Sequence, residues 1–234
     1  EKLLSIYDRG PFQVNYEATL DMSGLGQPLA GTLTGHLTQA DRTHSRMQLS
    51  FDMPGSPEMP GGGMAFTMLT VTDGTTTWTE MDNPTAGGKQ VTRIALAELE
   101  KSGQSMAGMS PTSIDPVAQL ETLTRTMDFE VVERAGGEVT LRGAITEESR
   151  AKLGMLAVPG VDGFIFVLDE QTGFPTQVRA EGEPPFISMT FRDLEFVDAA
   201  KLPAGLFEYT PPEGLPVMDL GAMLRSQRPA QEAQ

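Results

Sequence analysis

Cysteine is absent from the 234 residues, which removes disulfides, thiolate metal ligands and thiol nucleophiles and leaves the redox compartment unassigned. Histidine is nearly absent. His36 alternates with apolar residues and His44 lies near a turn, so a surface role suits both better than metal ligation. Positive charge is scarce as well: 17 Lys and Arg face 32 Asp and Glu, a formal net charge of -15 with a pI near 4.5. Such a chain repels phosphate backbones and anionic bilayers, and nucleic acid is not an expected partner. Long hydrophobic runs are missing too. "GFIFVL", Gly163 to Leu168, falls far short of the roughly 20 residues that a membrane helix needs. The opening residues "EKLLSIYDRGPF" carry no charged-then-apolar leader, which suits a cytoplasmic protein or a mature chain trimmed of its signal.

What the chain does have is a period of two. "FQVNYEATLDM" sets Phe12, Val14, Tyr16, Ala18, Leu20 and Met22 on one face and polar residues on the other, the pattern of a half-buried antiparallel strand. "LAGTLTGHLTQ" repeats it with Leu29, Gly31, Leu33, Gly35 and Leu37, and "RMQLSFDM" continues with Met47, Leu49, Phe51 and Met53. After a loop rich in Pro, Gly and Met come "MAFTMLTVT", a tight turn at Asp73 and Gly74, "TTTWTEM" and "KQVTRI". Phe66 and Met68 are placed inward in the first of these, although Leu69 and Val71 offer the opposite phase.

The middle differs. "ALAELEK" is a short helical pattern, and "DPVAQLETLTRTM" opens with Asp115 as cap and Pro116 at the first helical position, its stripe made by Val117, Leu120, Leu123, Thr124 and Met127. Between them "SGQSMAGMSPTS" reads as a loop poor in backbone restraint whose methionines have reason to seek an apolar cavity. Alternation returns in "DFEVVERAGGEVTLRGAI", turning at Gly136 and Gly137, in "FIFVLDEQTGFPTQVRAEG" and in "FISMTFRDLEFVD". "FEYTPPEGLPVMDL" reads as a last strand stopped by Pro211, Pro212 and Gly214. The sum is ten or eleven strands, one or two helical insertions and an N-terminal helix, forming a single domain over 1–220 followed by a polar tail over 221–234.

No chemistry announces itself. The acids are spread along polar strand faces rather than paired, and "PGGGM" lacks both the lysine and the strand-to-helix context of a phosphate loop. Catalytic residues, metal ligands and cofactors are therefore not expected. The positive oddity is 14 methionines, many on inward faces or nearby loops. Flexible, polarizable methionine suits an apolar cavity with variable contents, while composition alone favours ordinary gap filling in a core.

Three segments weigh on that choice: "VTDGTTTWTEMDNPTAGGKQVTRIAL", "DPVAQLETLTRTMDFEVV" and "GFPTQVRAEGEPPFISMTFRDLEFVDAAKLPAGLFEYTPPEG". In order and spacing they resemble the LolA and LolB lipoprotein carrier superfamily of the bacterial envelope. Val-Asp-Ala-Ala-Lys and Phe-x-x-Thr-Pro-Pro-x-Gly are the most specific elements, and the likeness covers most of residues 12 to 214. The resemblance implies an incomplete, strongly curved antiparallel half-barrel, mainly β, with helices over a concave apolar face that holds acyl chains. It implies a closing strand that ends on the proline pair. One departure stands out: where the carriers have Lys-Arg-Pro at the end of the second strand, this chain has "ADRTH", with Arg42 and Arg46 as the nearest arginines.

The resulting expectation is a periplasmic, non-enzymatic and monomeric carrier of lipid or acylated lipoprotein, with lipid anchoring of the native chain left open. Loading and release would involve a partner at the inner or outer membrane. A sensor of lipids or mislocalised envelope proteins using the same cavity is the alternative, and a filled structural core is the plainest one. The ligand-lining set is Phe12, Val14, Tyr16, Leu20, Leu33, Leu37, Met47, Leu49, Phe51, Phe66, Met68, Leu120, Leu123 and Met127.

Overall fold

A computed structural model describes residues 6, 9–21, 30–55, 63–84, 87–98, 127–147, 150, 161–182 and 186–227. Its strands are β1 (Phe12–Asp21), β2 (Ala30–Gln39), β3 (His44–Met53), β4 (Met64–Asp73), β5 (Thr76–Asn83), β6 (Gly88–Ala95), β7 (Asp128–Ala135), β8 (Glu138–Ala144), β9 (Gly163–Asp169), β10 (Pro175–Ala180), β11 (Ile187–Phe196) and β12 (Val217–Asp219), followed by helix α1 (Leu220–Gln227). All twelve strands belong to one sheet, ordered β12-β6-β5-β4-β3-β2-β1-β11-β10-β9-β8-β7. β12 and β7 are its two ends and do not pair with each other, so the sheet is an open, curved half-barrel. Strands consecutive in the chain pair antiparallel except β6 with β7 and β11 with β12, and β1 joins the two halves by pairing with both β2 and β11.

Register, more than strand count, defines what the sheet can do. Directly opposed residues share a face, so cross-strand pairs link side chains into rows across β1 to β4. One row runs Phe12, Gln39, Ser45, Thr72; the next, Val14, Leu37, Met47, Thr70; the third, Tyr16, Gly35, Leu49, Met68; the fourth, Ala18, Leu33, Phe51, Phe66; the fifth, Leu20, Gly31, Met53, Met64. Phe66 and Met68 thus take the inward phase and Leu69 and Val71 the outward one. On the far side of β1 the same face continues through Phe191, Met189, Val178, Phe166 and Leu141. These side chains form one contiguous apolar cluster with Met127, Val161 and Phe174.

Two close approaches make that packing possible. Gly35 lies under the Tyr16 ring so tightly that a Cβ would overlap its Cζ and hydroxyl. At Gly143 a Cβ would stand 2.9 Å from Phe129 Cε1 and 3.0 Å from Met127 Sδ. Opposite Val14, β11 carries an extra residue: Gln13 faces Glu195 and Asn15 faces Arg192, leaving Asp193 and Leu194 against one partner, with Asp193 at a φ of 57°. Such a bulge sharpens local twist and bends the strand.

The C-terminal stretch departs from expectation. Phe207 to Tyr209 is not a strand but part of an irregular strap crossing the outer face. Arg46 Nη1 donates to the Leu206 carbonyl at 3.2 Å, Phe207 packs edge-on against the His44 ring, and Tyr209 stacks on Trp78 with ring centroids 5.6 Å apart. Its alternation resembles a strand, yet the outer face already turns apolar there, with Val71 and Val91 buried, and side-chain packing outcompetes sheet pairing. Pro211, Pro212 and Gly214, with a φ of 80°, then make a turn, Leu215 N–H donating to the Pro212 carbonyl. The chain returns as β12, parallel to β6, the twelfth strand where ten or eleven were expected. Asp219 caps the next helix through the Ala222 N–H at 2.9 Å, so α1 begins where the polar tail was expected.

Candidate functional site

The inner face grades along its strands. Toward the β1 start and β3 to β4 ends of the rows, Phe12, Val14, Tyr16, Leu37, Met47, Leu49 and Met68 are buried. Two rows further, Leu20, Leu33, Phe51, Phe66 and Met53 are only half-buried, and Met64 is exposed at 36%. Phe51 and Phe66 stack with centroids 5.1 Å apart at this apolar mouth, flanked across β1 by the half-buried Ile187 and Met189. Among the described residues no charged side chain falls on the inner face of β1 to β6. Eleven of the expected lining residues, Phe12, Val14, Tyr16, Leu20, Leu33, Leu37, Met47, Leu49, Phe51, Phe66 and Met68, share this face. Met127 is buried against it. Leu120 and Leu123, the helix expected to carry them and the methionine loop expected before it lie outside the described residues.

Sequence reasoning missed the other half of the face. Phe164, Phe166, Phe174 and Phe191 pack in edge-on or tilted pairs, Phe174 against Phe191 at 5.4 Å and Phe164 against Phe166 at 6.5 Å. The signal was present in the alternation of "GFIFVL", which puts Phe164 and Phe166 on one side. Which half-barrel wall they belong to depended on the β1 to β11 pairing, a contact between residues nearly 180 apart in the chain.

The outer face is the charged one. Glu80 accepts from Lys89 Nζ at 2.8 Å and from the Tyr209 hydroxyl at 2.7 Å, and these two bonds hold its carboxyl below the usual range against the opposing effect of burial. Burial, followed by the bond to Glu80, pushes the Tyr209 phenol well above its ordinary value. Asn15 bridges Asp193 Oδ2 at 3.0 Å and His36 Nδ1 at 2.8 Å, and His36 Nε2 lies 3.2 Å from the Thr38 hydroxyl. Two shallow depressions adjoin here. One of about 460 Å³ lies over Thr34, His36, Gln48, Ser50, Thr67 and Glu80, and one of about 330 Å³ over Asn15, Glu17, Arg192 and Asp193. Arg46 is committed to this side and to the strap, so it does not stand at the inner face. No group of three or more His, Asp or Glu positioned to hold a metal occurs among the described residues.

No protein-family model and no curated protein matches the chain. Among solved structures it is similar to an uncharacterized conserved protein from Thermus thermophilus, at 11% identity over 94% of this chain and 99% of that one, with a TM-score of 0.47. It is also similar to a MucA/MucB complex chain from Pseudomonas aeruginosa, at 15% identity and a TM-score of 0.39, covering 90% of this chain but only 65% of that one. A third similarity is to a LolA superfamily protein from Nitrosomonas europaea, at 11% identity over 88% and 97% of the two chains, with a TM-score of 0.29.

Proposed function

We propose that the inner face binds acyl chains and that the protein is a non-enzymatic carrier of lipid or acylated lipoprotein in the bacterial envelope. One observation carries this reading: the rows through Leu33, Phe51 and Phe66 and through Leu20, Met53 and Met64 leave uncharged apolar surface partly open at one end of a curved sheet. A contiguous exposed apolar surface marks a binding surface more often than idle packing. Burial supplies the affinity. At about 0.8 kcal/mol per CH₂, some ten buried methylenes contribute on the order of 8 kcal/mol before ordering costs. Methionines at Met47, Met53, Met64 and Met68 adapt to chains of differing length. The resemblance of the sequence to the lipoprotein carriers supplies the envelope setting and the periplasmic location, with a membrane-bound partner for loading and release.

Adjacent positions on β4 give the test, since Phe66 faces inward and Thr67 outward. Phe66→Asp should weaken binding of a fluorescent fatty-acyl probe at least tenfold, a loss of about 1.4 kcal/mol or more. Thr67→Asp should leave it within twofold. Equal binding by both folded variants would remove the reading.

A further inference from the structure

One corner of the inner face breaks the apolar pattern. The first row turns polar past β1, where Gln39 is followed across the sheet by Ser45, Thr72 and Thr77, and the second past β3, where Thr70 is followed by Thr79. These are not rim residues. Gln39 is 3% exposed, Thr70 5%, Thr72 8% and Thr77 2%. The Thr72 and Thr77 hydroxyls meet at 3.1 Å and those of Thr70 and Thr79 at 3.4 Å. A pair of hydroxyls joined by one hydrogen bond retains a donor hydrogen and acceptor lone pairs. Gln39 is oriented by donating Nε2–H to the Asp41 carbonyl at 3.1 Å, which identifies the opposite atom as oxygen. That Oε1 is fully buried and has no hydrogen-bond partner among the described residues. An orphaned buried acceptor costs on the order of 1–3 kcal/mol and calls for a donor.

We propose that this corner is the head-group subsite for an uncharged, hydroxyl-bearing lipid, an inference that rests on the acyl-chain reading above. The donor that Gln39 Oε1 lacks is a ligand hydroxyl, and the threonine pairs supply mixed donors and acceptors for a second one. Charge decides against the alternatives. The inner face of β1 to β6 offers no Lys, Arg or His among the described residues to pair a phosphate or carboxylate. A buried unpaired anion is strongly disfavoured, and a net charge of -15 adds repulsion at longer range. Dimensions agree. From Gln39 to Thr77 is three strand spacings, about 14 Å, a span that a head of a few hydroxyls matches in length. From Thr72 to Phe66 along β4 is six residues, about 20 Å, which lets the chain run from the corner to the apolar mouth.

The test compares three amphiphiles with the same acyl chain, a monoacylglycerol, the free fatty acid and the lysophosphatidic acid, by calorimetric titration of the full chain. The monoacylglycerol should bind at least tenfold tighter than either anion. Thr72→Val and Thr77→Val, both nearly isosteric, should together reduce that preference to about twofold while leaving the fatty-acid affinity unchanged. Gln39→Leu should act in the same direction without lowering the unfolding temperature of the lipid-free protein by more than a few degrees. Equal or tighter binding of an anion, or a preference untouched by the valine pair, overturns the head-group assignment and leaves the acyl-chain reading standing. Failure of all three amphiphiles to bind overturns both.

Discussion

Gly35 shows how a single missing atom shapes the inner face. The Tyr16 ring rests on its backbone, and any side chain there must displace the ring. Gly35→Ala should destabilise the protein by about 1–3 kcal/mol, as overpacking of a core does. In the Tyr16→Ala background the same substitution should be close to neutral, because the clash has gone; urea unfolding of the four proteins closes the cycle. A second residue-scale effect is acid sensitivity. Burial raises the Asp73 carboxyl somewhat, but bonds from Thr75 N–H, the Thr75 hydroxyl, Thr76 N–H and Trp78 Nε1–H outweigh it and hold the carboxyl below its ordinary value. A depressed folded value stabilises the protein above the unfolded value, near 3.9, and that contribution is lost as pH falls through the folded value. Asp73→Asn should therefore lower stability at neutral pH and flatten its decline below about pH 4, measured by denaturant unfolding across that range.

At the scale of elements, the strap from Leu206 to Leu215 clamps β3 and β5 from outside, and its anchor is Tyr209 on Glu80. The raised phenol works in the opposite sense to a depressed acid. Its contribution is complete below the unfolded tyrosine value, near 10, and is lost as pH rises toward the folded one. Tyr209→Phe should cost about 1–2 kcal/mol at neutral pH and remove the alkaline loss, and it should speed amide exchange in β12, which follows the strap, more than in β1. Exchange rates equal to the parent's at both strands would show that stacking on Trp78 alone holds the strap. This element was the least legible in the sequence. "FEYTPPEG" has strand-like alternation, and only the apolar outer patch at Val71 and Val91, formed by distant hairpins, decides that it packs rather than pairs. By contrast β1 to β6 were readable almost residue by residue, because each is a local hairpin neighbour and one phase error would turn a whole strand over. The threonine corner was overlooked for the same local reason: "TVTDGTTTWTE" looks like exposed strand and turn until register aligns its hydroxyls with the buried end of the face.

At the scale of the whole molecule, β1 to β6 separate two chemistries, an inner face with no charged side chain among the described residues and a charged outer one, which fits the proposed carriage of hydrocarbon. The account stands or falls on whether hydrocarbon contacts the inner rows. Photo-crosslinking with a diazirine-tagged acyl chain, followed by peptide mapping, measures this directly. The account predicts label on the inward residues of β1 to β4, Leu33, Phe51, Phe66 and Met68 among them, with competition by unlabelled lipid. Label confined to the outer residues around Val71, Trp78 and Tyr209, or none that unlabelled lipid displaces, would contradict it.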